Sequence, residues 1–449
     1  MASFDTSTPS QHAYLGSGLE DLAASEPLTE GERYNLPLIP LRGVVLFPGS
    51  VLPLMDDDQL PRMRPLLERA LLAPPPLSRL VAVVSFQGSS FDRFIVGCTA
   101  EIRKSSTDAN NGGWRAVARG RQRVLVDLCS AHLPSRPQPS VTVLPTGDVP
   151  PVPLIIEQGL TSVHPRTARP FDVHHLSNNC RHLCAKLFPG LALHAAAWPD
   201  SFHNMSEGEA LQGSATLSFR KRGLPTRPLP LSYWLAANLP LASKHRQTLL
   251  EAPTVLHRLR LIVDMLLLYE QRVHTRVLRC KGCAAAIVNA GDVLQTTDEG
   301  AGSAFCNAYG CVHDLATFTR LCARADVRLH GLPEVAHSWY PGYAWTIASC
   351  SHCMNHLGWR FTAAQDLGPD MPTTFWGIRR DALAEACLLG QHQEHGQGPT
   401  APAFVEESVS EYESADGSYT EADETLSRIP VQLLHDDGNS DGSEVDEGR

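Results

Sequence analysis

Cys280-Lys281-Gly282-Cys283 and Cys350-Ser351-His352-Cys353 decide the fold of the C-terminal third. Two residues between cysteines let both sulfurs of one turn reach a single ion, and two such turns supply the tetrahedral four-sulfur set that Zn²⁺ prefers. The 66 residues between the pairs exceed a simple zinc ribbon. One structural zinc ion held by Cys280, Cys283, Cys350 and Cys353 is therefore expected to pin two distant β-turns of one domain. Cys306 and Cys311 lie between the pairs at a poorer spacing and read as packing thiols. His174, His175, Cys180, His182 and Cys184 lack a second ligand pair in turn geometry and read as an incidental cluster.

Beside the second cysteine pair lie His337-Ser338-Trp339-Tyr340-Pro341-Gly342-Tyr343-Ala344-Trp345, then Gly358-Trp359-Arg360-Phe361 and Phe375-Trp376-Gly377. Four of the seven tryptophans fall in this short span. They can form the core of a small β domain. Alternatively, placed on a loop rim by the turn residues Tyr340-Pro341-Gly342, they can wall an aromatic cage for a small flat or cationic group. Spacing alone leaves both readings open.

Upstream, the run from Leu36 to Gly49 mixes aliphatic and β-branched residues with prolines and glycines, which requires short, turned or edge strands. β-type runs follow at 80–86, 94–102 and 114–126, with a short helix over 60–72 between them. Residues 1–35 read as an extended arm, and 145–230 keep no period. After Pro253, at a first helical position, Leu256, Leu259, Val263, Leu266 and Val273 predict a long helix reaching about Leu278.

A chain of 449 residues, 43% hydrophobic and 19% charged, has globular composition. Its net charge of −10 is uneven: residues 406–449 carry 14 acidic side chains against Arg428 and Arg449, leaving the rest nearly neutral. No concentrated basic face suggests nucleic acid, and the tail from 391 onward reads as disordered and acidic. No apolar run reaches a membrane span and no leader is visible, so cytoplasm and nucleus are the expected locations. Phosphate-loop, nucleophile-elbow and H-E-x-x-H motifs are missing, and a four-thiolate ion has no open position to activate water. No enzyme activity is expected.

Leu36–Leu54, with 96–102 and 117–126, resembles the LON N-terminal domain family. Residues 280–382 resemble the thalidomide-binding CULT domain family, most specifically in His337 through Thr346. Together these imply a multidomain α+β chain: an arm (1–35), a LON-type β domain with a helical bundle (36–278) carrying a divergent adaptor-binding insertion at about 150–231, a zinc-pinned all-β "β-tent" CULT domain (279–390), and the tail (391–449). The resemblance implies a substrate-recognition subunit of a cullin-RING E3 ubiquitin ligase, attached through the DNA-damage-binding β-propeller adaptor. It would take substrate proteins ending in cyclic imides, and glutarimide small molecules. Trp339, Trp345 and Trp359 would be the cage walls and Phe361 the floor. His337, by ring and backbone, and the backbone N–H of Trp339 would meet the imide, while Asn307 and His313 match a loop closing over it.

The sequence departs from the family at Ala308, Tyr309 and Cys311, where Pro, His and Tyr are familiar, and at Ile347, where a smaller Val is familiar. It departs again at Gly208 and Gly213, which interrupt the adaptor-binding helix and imply weaker attachment. Two other readings stand beside this one: a methionine sulfoxide reductase-like enzyme on a zinc-pinned β fold, and a LON/CULT ligand-binding protein without ligase attachment. An ATP-dependent LON protease is excluded, because the chain has no phosphate loop.

Overall fold

The computed structural model describes residues 12–16, 18–56, 63–86, 93–107, 114–129, 139–146, 171–191, 224–271, 276–297, 300–367 and 371–384. Most of the adaptor-binding insertion, the acidic tail and Cys387 lie outside them.

The first layer is an eight-stranded sheet built from β1 (Glu20–Asp21), β2 (Arg33–Asn35), β3 (Leu38–Arg42), β4 (Val51–Asp56), β5 (Leu80–Phe86), β6 (Phe94–Thr107), β7 (Trp114–Asp127) and β8 (Ser140–Val143). Its order is β2-β8-β7-β6-β5-β3, with β1 on β6 and β4 on β7. β7 reads in the period of two that a half-buried strand imposes: Trp114, Ala116, Ala118, Val124 and Val126 face inward. β3 pairs with β5 in parallel at the edge of the sheet, and helix α1 (Arg64–Leu72) lies in the crossover, starting four residues later than the sequence suggests.

Among the described residues four further α-helices follow: α2 (Val173–Leu187), α3 (Pro228–Asn238), α4 (Ser243–Glu251) and α5 (Val255–Gln271). α2 lies in the stretch whose sequence showed no period. Asp172 caps it by accepting the N–H groups of His174 and His175, and Leu176, Cys180, Leu183, Cys184 and Leu187 form its buried stripe. α5 is shorter at both ends than expected. Thr254 accepts the N–H of His257 through its hydroxyl, so the helix begins past Pro253. Arg276 donates to the carbonyls of Tyr269 and Glu270, covering its end, and Val277–Arg279 is a strand.

Buried arginines meet the helix ends. Arg380 donates to the carbonyls of Ala237, Leu239 and Leu241 at the close of α3. Arg258 donates to those of Leu249 and Ala252 at the close of α4. The orphan carbonyls of a helix terminus are thereby satisfied without water. Asp314 bridges Arg380, at 3.3 Å, and Arg246.

The last layer contains β9 (Val277–Arg279) paired with β10 (Ala286–Asn289), and a six-stranded antiparallel sheet in the order β11-β12-β16-β15-β14-β13. Its strands are β11 (Gly302–Cys306), β12 (Val312–Phe318), β13 (Val327–Glu334), β14 (Tyr343–Cys350), β15 (His356–Ala363) and β16 (Thr374–Arg379). One apolar cluster joins the helices to Phe318, Leu357 and Ile378, and a separate aromatic cluster holds Phe305, Leu315 and Phe361.

Candidate functional site

Cys280 and Cys283 sit on the turn after β9, and Cys350 and Cys353 on the turn joining β14 to β15. Their four sulfurs all lie within 4.8 Å of one another, and Cys280 to Cys353 and Cys283 to Cys350 are each 3.5 Å. A metal–sulfur length of about 2.3 Å in a tetrahedron requires sulfurs about 3.8 Å apart, so the quartet fits that set and is consistent with a zinc site. Burial raises the Cys280 thiol, but hydrogen bonds from Asn355 Nδ2 and from the backbone of Gly282 outweigh it and bring the group down to about 7. The surroundings thus favour the thiolate at Cys280, whereas burial raises Cys350. Cys353, against a lowering hydrogen bond from the Asn355 backbone, is pushed up to about 12 by burial and the neighbouring thiols, so an incoming metal would have to displace protons there. Among the described residues this is the group placed to hold an ion.

The cluster around His174 and Cys184 resolves differently. Cys180 and Cys184 stand one turn apart on the buried face of α2, and burial pushes the Cys184 thiol up to about 12. Cys306 is a packing thiol, whereas Cys311 is exposed, contrary to the sequence reading, because it lies on the turn between β11 and β12.

The aromatic residues form one front on the six-stranded sheet. Trp339 and Trp359 meet edge to face at 4.8 Å, and Trp339 lies 6.5 Å from Phe361. Only Trp339 stands on a turn; Trp345 is on β14 and Trp359 on β15. The expected loop rim is therefore mostly sheet, because cross-strand register places Trp345 opposite Phe361 and Ile347 opposite Trp359. Trp345 is half-buried against the same cluster, and its Nε1–H donates to the carbonyl of Ala336 at 2.8 Å. Trp339 Nε1–H donates to the carbonyl of Cys306 at 2.9 Å.

His337 is exposed and has φ of 57°, a left-handed conformation that turns the chain from β13 toward Trp339. His313 lies 5.0 Å edge-on to Trp359, with His356 4.8 Å away on that same indole. Burial, then the nearby Arg379 charge, pushes His313 down to about 3, so it is a neutral ring at ordinary pH. Asn307 turns its side chain into its own hairpin, where Oδ1 accepts the N–H groups of Tyr309 and Cys311. Gly310, at φ 77°, packs on the carbonyl oxygen of Met55, 2.6 Å from where a Cβ would stand.

Behind these indoles lies a second aromatic layer, of which sequence reasoning named Tyr340, Phe361 and Phe375 but missed Phe305. Phe305 stacks on Trp339 at 5.2 Å, Tyr340 meets Phe361 at 4.7 Å, and Phe375 stacks on Phe361 at 5.0 Å. The second layer is core; Trp339 and Trp359 are buried against it and Trp345 is half-buried at its edge.

The family model of the ATP-dependent protease La (LON) substrate-binding domain matches residues 35–267. The chain is 30% identical over 415 residues to "Protein cereblon" of Danio rerio, covering 88% of this chain and 91% of that protein. It is 28% identical to "Protein cereblon" of Gallus gallus, covering 85% of each. Among solved structures, the N-terminal domain of a Mycobacterium avium complex Lon protease matches with a TM-score of 0.30 at 18% identity, over 51% of this chain and 97% of that one.

Proposed function

Because the chain belongs to the cereblon family, we propose that it is a non-catalytic substrate-recognition subunit of a cullin-RING E3 ubiquitin ligase. In this reading it binds proteins ending in cyclic imides, and glutarimide compounds, between Trp339, Trp345 and Trp359. The observation that carries the reading is the satisfaction of two of these indole N–H groups by Cys306 and Ala336. The indoles then offer apolar faces, which suit the methylenes of a six-membered imide. The polar edge of the imide is left to the ring and backbone of His337 and the backbone N–H of Trp339, with Phe361 beneath and Asn307 and His313 on the adjoining hairpin.

The cysteine quartet would hold one Zn²⁺, which supplies no chemistry and fixes the turn after β9 to the turn joining β14 to β15. A reductase reading needs a nucleophilic thiol at the front, but burial pushes Cys306, the thiol behind Trp339, up to about 12. Attachment to the β-propeller adaptor is assigned to residues about 150–231, and cytoplasm and nucleus are the proposed locations.

Calorimetry of the zinc-loaded chain with a bare glutarimide tests imide binding. Micromolar to millimolar affinity is expected of so small a ligand, and no heat from folded protein overturns the reading. Deleting 193–218 should abolish co-purification with the adaptor while that heat persists; adaptor still bound would place the attachment elsewhere.

A further inference from the structure

The N-terminal arm reaches the aromatic front through two neighbouring residues, Phe305 and Cys306. Tyr14 Oη accepts the N–H of Cys306 at 3.2 Å, while the carbonyl of the same Cys306 accepts Trp339 Nε1–H at 2.9 Å. The Tyr14 hydroxyl is also hydrogen-bonded to His12 Nδ1, 3.1 Å away. His12 is buried, and its ring meets Phe305 edge-on at 5.9 Å. Tyr14 tilts against Phe305 at 6.4 Å, and Phe305 stacks on Trp339. Both edges of the Trp339 setting, its hydrogen-bond acceptor and the ring behind it, are therefore fixed from the arm. The arm itself is held to the first sheet, where Arg115 Nη1 donates to the carbonyl of Leu15 at 3.0 Å.

We propose that Tyr14 is a positioning residue for the cage: without touching ligand, it sets the orientation of the Trp339 wall through Cys306 and Phe305. A buried indole fixed by one hydrogen bond and one stacking ring can rotate when either support is removed. The proposal rests on the imide-binding reading for its ligand and on the hydrogen bonds above for its geometry.

The test uses the full zinc-loaded chain with Tyr14→Phe, which keeps the ring and removes the hydroxyl, and Tyr14→Ala, which removes both. Glutarimide affinity by calorimetry should fall roughly twofold to threefold in the first and about fivefold to tenfold in the second, the range a lost hydrogen bond of about 1 kcal/mol allows. Measurements are made well below the melting temperature of each variant, so that folded protein alone is compared. The indole N–H resonance of Trp339, assigned through Trp339→Phe, should shift in Tyr14→Phe, a change that lowered stability alone does not produce. Unchanged affinity with an unshifted resonance in both variants overturns the proposal. If the unmodified chain binds no glutarimide, the imide reading falls, and the resonance alone decides the role of Tyr14: shifted supports it, unshifted overturns it.

Discussion

Gly358 and Gly377 touch through the backbone: a Cβ on Gly358 would stand 2.1 Å from the carbonyl oxygen of Gly377, and Gly358 has φ of 142°. Gly377 in turn sits opposite Trp359, with the Phe361 ring 3.0 Å from where its own Cβ would be. Absent side chains at both positions allow β15 and β16 to close behind the cage.

Gly358→Ala should therefore strain β15 and lift it from β16. A loss of roughly 1 to 3 kcal/mol is expected from the backbone conformation alone, together with weakened glutarimide binding. Urea denaturation and calorimetry check both, and a variant with unaltered midpoint and affinity contradicts the packing described.

Cys350→Ser should empty the quartet and unfold the six-stranded sheet, since structural zinc contributes on the order of 10 kcal/mol to small domains. Metal content by atomic absorption and circular dichroism of the full chain follow the change. Persistence of the β signal and of cage binding in metal-free protein would show the ion to be dispensable.

Acid should destabilise the fold through three histidines. Burial lowers His12 and His356 to about 4 and His313 to about 3, from an ordinary value of 6.5. Between pH 6.5 and pH 4 the unfolded chain binds protons that the folded chain refuses, so stability is full above pH 6.5 and falls as pH drops. The slope is about 1.4 kcal/mol per pH unit for each histidine. Melting temperature measured from pH 7 to 4.5 should decline, and less steeply in His356→Gln; an identical slope in that variant would remove His356 from the account.

Arg380→Met should cost roughly 3 to 5 kcal/mol, because it strips Asp314 of one partner and leaves the carbonyls that end α3 without donors in a dry environment. Guanidinium titration measures it, and a change below 1 kcal/mol would mean that water or Arg246 takes over.

Ile347 is exposed on β14 beside Trp359, where the family resemblance has a smaller Val. Drug-induced recruitment of a zinc-finger partner should be impaired in the unmodified chain and improved by Ile347→Val, a methylene at a tight contact being worth roughly 1 to 3 kcal/mol. Pull-down in the presence of drug decides it; equal capture by both proteins would dismiss the contact.

The cysteine quartet was legible because metal ligation demands a fixed local spacing, and β7 because a half-buried strand must alternate. α2 was not, although its signal was present in Asp172 and in the stripe from Leu176 to Leu187; the surrounding prolines hid it. The proposed cage residues were legible as a cluster of indoles, yet their placement on strands was not, since the register that sets Trp345 against Phe361 follows from the turn joining β14 to β15. Tyr14 left no local trace, because its bond to Cys306 spans 292 positions.

β14 carries Trp345 in its first half and ends in Cys350. A molecule lodged among the indoles and an ion among the thiolates would therefore grip one strand from opposite ends. If losing the ion loosens the cage, reciprocity requires that filling the cage tighten the hold on the ion by the same factor. The resistance of the metal to a chelator would then serve as an unlabelled gauge of cage occupancy, able to screen imide-ended peptides whose binding heats are too small to read.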